Sequence, residues 1–86
     1  MRVIEMSERI RVHRRGLDAI PLEFSWRGRR YAVRRIEWMR QAGERTKKGK
    51  TYQLQTAQGL KCRISHDEQG DIWRVDHILG QRGGMR

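Results

Sequence analysis

The sequence has little of what builds disulfide-bonded, membrane-spanning or multidomain proteins. It contains one cysteine and one proline in 86 residues, and apolar residues make up only 36% of the chain. A single cysteine excludes an internal disulfide framework, and no apolar run approaches the roughly 20 residues that a membrane-spanning helix needs. Charged residues near the amino terminus leave no apolar stretch for a signal peptide. We therefore expect one domain spanning residues 1–86 in a reducing, cytoplasmic setting.

Acidic residues are scarce relative to basic ones. Ten Asp and Glu stand against 20 Lys and Arg, which gives a formal net charge of +10 and an isoelectric point near 11.2. Sixteen of the basic residues are arginine, whose planar fork of donors suits phosphate and carboxylate groups and stacks on flat rings. This charge balance predicts a polyanionic partner.

Short alternating segments punctuated by glycine predict an all-β fold. Leu22, Phe24 and Trp26 alternate with polar residues, as in a strand with one buried face. Arg27-Gly28 then has the length of a tight hairpin turn, with Gly28 at positive φ. We expect about six short antiparallel strands in a curled meander or small open barrel, which would bury the aromatic rings. The ordered core is expected at about residues 8–79, followed by a flexible basic tail at residues 80–86.

The segment from residue 31 to residue 42 admits two interpretations. Tyr31 and Val33 continue an inward face, but the next large apolar residues, Ile36 and Trp38, have the opposite parity. One extra residue near Arg34 would restore the alternation, as in a β-bulge. A helix would spread the apolar residues over more than half of its circumference, which is broad for a small domain. The strand is therefore favoured.

Two strings in the chain resemble a known family. Residues 24–33 read Phe-Ser-Trp-Arg-Gly-Arg-Arg-Tyr-Ala-Val, and residues 73–78 read Trp-Arg-Val-Asp-His-Ile. The first resembles the Phe-x-Trp-Arg-Gly-Arg-Arg-Tyr-x-Val hairpin core of an uncharacterised bacterial small-domain family, and the second resembles that family's last strand. Such domains occur alone or beside DNA-repair and translesion-polymerase-like proteins. The resemblance implies an all-β fold but no settled activity.

Basic residues cluster in two segments that are candidate nucleic-acid contacts. One is the hairpin that follows Trp26, and the other is the polar stretch at residues 41–50. Cations on the outward side of strands can track a phosphate backbone, whereas cross-strand pairing with Glu23 or Glu37 would make the same surface merely solvated. The candidate contacts are Arg27, Arg29, Arg30, Arg34, Arg35, Lys47, Lys48 and Lys50. Outward cations elsewhere that could extend the patch are Arg9, Arg11, Lys61 and Arg63.

Most aromatic rings are expected in the core, and the remaining motifs do not indicate catalysis. Trp38 and Tyr52 flank the basic polar stretch and are the candidates for stacking on unpaired bases. Cys62, His66 and His77 are too few for a structural zinc site, which takes four ligands. The acidic turn near residue 67 lacks a nucleophile in any recognised arrangement. We predict no metal, no cofactor and no enzymatic activity.

These observations predict a small basic module that binds DNA or RNA through the phosphate backbone with little sequence specificity. The alternative is a protein-interaction module whose arginine-rich face binds an acidic partner, such as a replication or repair accessory. In either case we expect a monomer or weak dimer with no membrane association.

Overall fold

The computed structural model describes residues 3–41 and 49–81, which form a closed antiparallel barrel. Its strands are β1 (Ile4–Arg15), β2 (Pro21–Trp26), β3 (Arg29–Gln41), β4 (Gly49–Thr56), β5 (Leu60–Asp67) and β6 (Ile72–Gln81). Each strand pairs with the next along the chain, and β1 also pairs with β6. The predicted all-β fold is confirmed, and the barrel is closed rather than open.

Alternate residues of the strands fill the interior of the barrel. Phe24, Leu54 and Ile64 have no exposed surface, and the Phe24 ring stacks on Tyr31 with the centroids 5.4 Å apart. Such aromatic pairs contribute about 0.5–1.5 kcal/mol beyond the area that they bury. Leu22, predicted to share the inward face of Phe24, is instead 36% exposed near the start of β2.

Strand β3 is extended throughout, so the strand interpretation of this segment is confirmed. Its register against β4 shifts twice, once between Val33 and Arg35 and again between Ile36 and Trp38. The first shift is the predicted bulge, and the second was not predicted. Each bulge adds a residue that the partner strand does not match. Ile36 therefore lies inward opposite the buried Leu54, whereas Trp38 lies on the outer face.

The ends of the described chain differ from the sequence-based expectation. Strand β1 begins at Ile4 rather than near residue 8, and Gly80 and Gln81 belong to β6 rather than to a tail. The rest of the predicted tail, residues 82–86, lies outside the described residues. Within residues 3–41 and 49–81, no helix is long and apolar enough to cross a membrane.

Cys62 provides a test of the barrel core. Its side chain is fully buried, and this burial raises the pKa of the thiol to about 12 from the ordinary value of 9.0. We expect the native thiol to resist a chromogenic disulfide reagent at pH 8 and to react fully in guanidinium chloride, because only an accessible thiolate attacks. The unfolded thiol loses its proton near pH 9.0 but the native thiol does not, so Cys62 makes stability fall as pH rises from 9.0 towards 12.

The variant Cys62→Ser should give no reaction in either state and should show a weaker fall of stability above pH 9.0. Equal reaction rates in the native and unfolded wild-type protein would contradict the burial.

Candidate nucleic-acid interface

The tip of the β2–β3 hairpin fixes Arg27 in place. Arg27 and Gly28 have φ of 51° and 76°, as a type I′ turn requires, so the positive φ predicted for Gly28 is confirmed. The Arg27 guanidinium donates to Glu8 at 2.6 Å and lies 4.8 Å from the centroid of the Trp26 ring. Trp26 Nε1 donates to the same carboxylate at 2.9 Å. These bonds, that of Arg27 first, lower the pKa of Glu8, so the charge of Arg27 is already neutralised.

Two further predicted contacts also have acidic neighbours. The Arg30 guanidinium lies 3.7 Å from a Glu23 oxygen, with 65% of its side chain exposed. Lys50 Nζ lies 3.5 Å from a Glu68 oxygen, and only 20% of its side chain is exposed. Arg30 is therefore accessible to a large anion. Lys50 is less accessible, because most of its side chain is buried and its ammonium group lies beside Glu68.

The other predicted contacts fall into two groups. Arg29, Arg34 and Arg35 are exposed, and within the described part of the chain none of them forms an ion pair. Lys47 and Lys48 lie outside the described residues. Among the predicted contacts that the structure describes, the arginines without an ion pair therefore lie on β3 and not in the turn formed by Arg27 and Gly28.

The prediction that Tyr52 could stack on a base is wrong. Tyr52 is only 2% exposed, and its ring stacks on Trp73 with the centroids 5.9 Å apart. Burial raises the pKa of its hydroxyl. The alternation of β4 places Tyr52 on the same side as Leu54, inside the barrel, where no nucleotide base can reach it.

Trp38 is the aromatic ring on the outer face of the barrel. It is half-buried, and the guanidinium carbons of Arg40 and Arg63 each lie 5.1 Å from the ring centroid. Arg63 reaches the ring from β5 because Trp38 pairs with Gln53 and Gln53 pairs with Arg63. Both guanidinium groups lie over the ring, so a base that takes the place of one of them can stack on Trp38 while the displaced cation contacts a phosphate.

Basic side chains occupy three outward rows that cross the sheet. One row runs Arg40, Thr51, Ser65, Arg74 and Arg9, from β3 to β1. The second runs Trp38, Gln53, Arg63, His77 and Glu5, and the third runs Arg35, Gln55, Lys61 and Gly80. We name as the outer basic face the surface formed by Arg9, Arg35, Trp38, Arg40, Lys61, Arg63 and Arg74.

The carboxylate of Glu37 on this face is satisfied by its neighbours. Gln53 and Gln55 donate to it at 2.7 and 2.6 Å, and Lys61 Nζ lies 3.5 Å away. These groups, Gln53 first, lower the pKa of Glu37. The oxygen of Gln53 in turn accepts from Arg63 Nη2 at 2.9 Å. Glu37 therefore orients Gln53, which holds Arg63 beside Trp38.

Removing the Glu37 carboxylate should cost stability. We expect Glu37→Ala to lower the free energy of unfolding by about 1–2 kcal/mol, because it removes charge-assisted hydrogen bonds. The matched control Glu23→Ala removes a carboxylate whose ion pair is long, 3.7 Å, and should cost no more than about 0.5 kcal/mol.

The effect of Glu37→Ala should also depend on pH. The pKa of Glu37 is lowered from 4.5 in the native state, so its contribution is present above pH 4.5 and is lost as pH falls through the native pKa. Urea unfolding at pH 7 and at pH 3 measures the difference. An equal cost at both pH values would contradict the hydrogen-bonded carboxylate.

Sequence reasoning found part of the outer basic face. Arg35 and Trp38 are among the predicted contacts, and Arg9, Lys61 and Arg63 are among the predicted extensions of the patch. Arg40 was missed because the second bulge of β3 sets its orientation. Arg74 was missed although its alternation with the buried Trp73 and Val75 signals an outward position.

The cysteine and histidines considered for zinc do not converge. Cys62 lies in the core, His66 Nε2 is 2.8 Å from Asp71, and His77 lies in the outward row beside Arg63. In the portion of the chain that the structure describes, no three His, Cys, Asp or Glu side chains are placed to hold a metal ion.

No protein-family model matches the chain, and no curated protein or solved structure is significantly similar to it. The resemblance to the uncharacterised bacterial family therefore stays a prediction.

Proposed function

We propose that this protein is a small nucleic-acid-binding module that contacts the phosphate backbone with little sequence specificity through the outer basic face. The observation that carries the proposal is the Trp38 ring flanked by Arg40 and Arg63 on a sheet surface that bears further arginines. Arg9, Arg35 and Arg40 are exposed and form no ion pair with any other described residue. When such cations neutralise phosphates, the counterions condensed on the nucleic acid are released, and this supplies essentially all of the affinity of non-specific binding.

Low sequence specificity follows from the kind of groups on the face. Contacts to phosphate and sugar position a protein on a strand but carry no sequence information directly. Stacking on tryptophan accepts every base, because every base has a π-face. A base stacked on Trp38 with phosphates against Arg35 and Arg40 would therefore be held whatever its identity.

The hairpin tip is a separate location from the outer basic face. Arg29 and Arg35 lie on the same strand, and at about 3.3 Å per residue they are roughly 20 Å apart. Arg27 is neutralised by Glu8 at 2.6 Å. We therefore assign the hairpin arginines a supporting role through long-range attraction and the outer basic face the direct contacts.

A salt series tests the proposal. The full chain is titrated into fluorescein-labelled mixed-sequence oligonucleotides, as single-stranded DNA, duplex DNA and RNA. We expect dissociation constants of about 1–100 µM near physiological salt, as for other non-specific binders. With about four to six phosphate contacts, the slope of log affinity against log salt on duplex DNA should be about −3.5 to −5.5.

Two sequence-scrambled oligonucleotides of equal composition serve as the specificity control and should bind alike. If none of the three polymers binds more tightly than about 100 µM near physiological salt, the proposal fails. An acidic protein partner then becomes the better hypothesis.

A further inference from the structure

A cleft opens where β1 changes its pairing partner. The pairing of β1 with β6 ends at Ile10 opposite Trp73, and its pairing with β2 begins at Arg11 opposite Ser25. Beyond Ile10, β1 and β6 are therefore no longer paired, and a cleft of about 530 Å³ lies between them. We name this space the seam cleft. Its volume lies within the range of pockets that hold small molecules.

The lining of the seam cleft is rich in arginine. Arg9, Arg11 and Arg15 extend along it from β1, Ser25 contributes a hydroxyl that is hydrogen-bonded to His13, and Asp71 is the one acidic residue among the described residues that line it. The lining therefore has two positive charges in excess. Within the described part of the chain, Arg9 and Arg11 form no ion pair. Cations in a concave site with low-dielectric walls concentrate the potential and attract anions.

A network of contacts around Asp71 joins side chains at one wall of the cleft. Arg15 Nη2 lies 2.9 Å from both oxygens of the Asp71 carboxylate, and His66 Nε2 lies 2.8 Å from one of them. The His66 ring stacks on Trp73 with the centroids 3.9 Å apart and the planes 7° apart. Arg15 lies 5.8 Å from the centre of the same indole. These contacts therefore place Arg15, Asp71 and His66 beside Trp73 at this wall of the cleft.

This network also determines which charges remain for a ligand. Hydrogen bonds to Asp71, that of Arg15 first and then that of His66, lower the pKa of the carboxylate. The carboxylate therefore stays ionised, and its oxygens are already hydrogen-bonded to Arg15 and His66. Only Nη2 of Arg15 is engaged by Asp71, and a guanidinium has five N–H donors. Arg9, Arg11 and the rest of the Arg15 guanidinium can therefore donate to an anion.

We propose that the seam cleft binds a phosphate monoester. Such a group carries a charge of about −1.5 to −2 at pH 7, which matches the two excess positive charges of the lining. Arginine forks pair with phosphate oxygens through two parallel hydrogen bonds, which makes them the usual recognition group. A phosphodiester carries one charge and would leave the cleft incompletely neutralised.

The monoester has two possible sources. One is a free mononucleotide, and the other is the terminal phosphate of a strand that lies on the outer basic face; this second source rests on the proposed function. The outward row from Arg40 through Arg74 to Arg9 connects the two regions. Four strand spacings of about 4.8 Å make that row roughly 19 Å long.

Titration with adenosine 5′-monophosphate tests the site itself. In ¹H–¹⁵N spectra of the full chain, we expect saturable shifts of the Arg11 and Ser25 backbone amides and of the Trp73 indole N–H, with a dissociation constant below about 1 mM. Adenosine without phosphate should produce none of these shifts. Arg11→Gln should weaken binding about tenfold, because it removes a charged fork from the cleft.

Arg29→Gln is the matched control, since Arg29 is also exposed and forms no ion pair with the described residues. Its affinity for the nucleotide should stay within about twofold of wild type. Absence of saturation, or wild-type affinity in Arg11→Gln with unchanged thermal stability, overturns the proposal.

A second arm distinguishes the sources of the phosphate. The same single-stranded oligonucleotide is compared with a 5′-phosphate and with a 5′-hydroxyl. An advantage of about threefold to tenfold for the phosphorylated strand, lost in Arg11→Gln, supports a strand terminus in the cleft. Nucleotide binding without that advantage supports the free nucleotide. Nucleotide binding while neither strand binds leaves the seam cleft supported and overturns only the proposed function.

Discussion

Replacing Phe24 with alanine is expected to lower the free energy of unfolding by about 3–5 kcal/mol. Phe24 is 0% exposed, pairs with Val12 on β1 and with Tyr31 on β3, and stacks on the Tyr31 ring at 5.4 Å. The truncation would leave a cavity between three strands whose hydrogen-bonded backbones cannot collapse into it. A domain of this size has a total stability near the lower end of about 5–15 kcal/mol, so the variant should be partly or wholly unfolded at 37 °C.

Leu22→Ala is the matched control for this prediction. Leu22 lies two positions earlier on β2 but is 36% exposed. Its truncation should cost less than about 1 kcal/mol. Urea unfolding followed by tryptophan fluorescence measures both values. Similar costs for the two variants would contradict the barrel core as described.

Reversing two charges on the outer basic face should give the largest loss of nucleic-acid binding. Arg35 and Arg40 are exposed, lie on β3 on either side of Trp38, and form no ion pair with the described residues. We expect Arg35→Glu/Arg40→Glu to reduce the magnitude of the salt slope by about two, since each lost phosphate contact removes about one. Affinity at low salt should fall by about 30-fold to 100-fold, equally for every sequence.

The double variant Arg29→Glu/Arg30→Glu is the matched control, because it makes the same charge change at the other end of the same strand. It lowers long-range attraction but leaves the contacts intact, so we expect a loss of about threefold or less and an almost unchanged slope. A larger loss in this variant would move the interface to the hairpin. Unchanged affinity in both variants would contradict binding through β3.

Trp38→Phe provides a further separation of stacking from charge. Phenylalanine keeps a π-face but has less area than indole, whereas Trp38→Ala removes the platform. Base stacking contributes about 1–3 kcal/mol per base, so the alanine variant should lose about fivefold or more on single strands and the phenylalanine variant less. Duplex DNA, whose bases are already stacked, should be affected little by either change.

The predicted bulge shows how far local pattern reaches. The break in alternation between Val33 and Ile36 is visible in the residues themselves, and the structure has the first register shift there. The second shift, between Ile36 and Trp38, leaves no break, because a tryptophan is equally compatible with an inward or an outward position. The position of Trp38 depends on its pairing with Gln53 of β4, the next strand along the chain.

Tyr52 and Trp38 also show that the local sequence does not determine which side of the sheet a side chain occupies. Both flank the basic polar stretch, and residue type alone does not separate them. Tyr52 lies inside the barrel with the other inward residues of β4, and its ring centroid is 5.9 Å from that of Trp73. Trp38 acquires its arginine neighbours from two strands. Whether a side chain is exposed depends on the assembled sheet, and the residues next to it in the chain do not determine it.

The sequence by itself determined the all-β class, most of the hairpins, the positive φ of Gly28 and the excess of arginine. The strands and turns depend on alternation and turn chemistry, which act over a few residues, and the excess of arginine is a matter of composition. Only the tertiary structure decided which arginines are free. Arg27 is neutralised by Glu8, 19 positions away, and Arg15 pairs with Asp71, 56 positions away. Closing the barrel sets those pairings, because β1 must meet both β2 and β6, and the seam where it changes partner creates a cleft that no local pattern specifies.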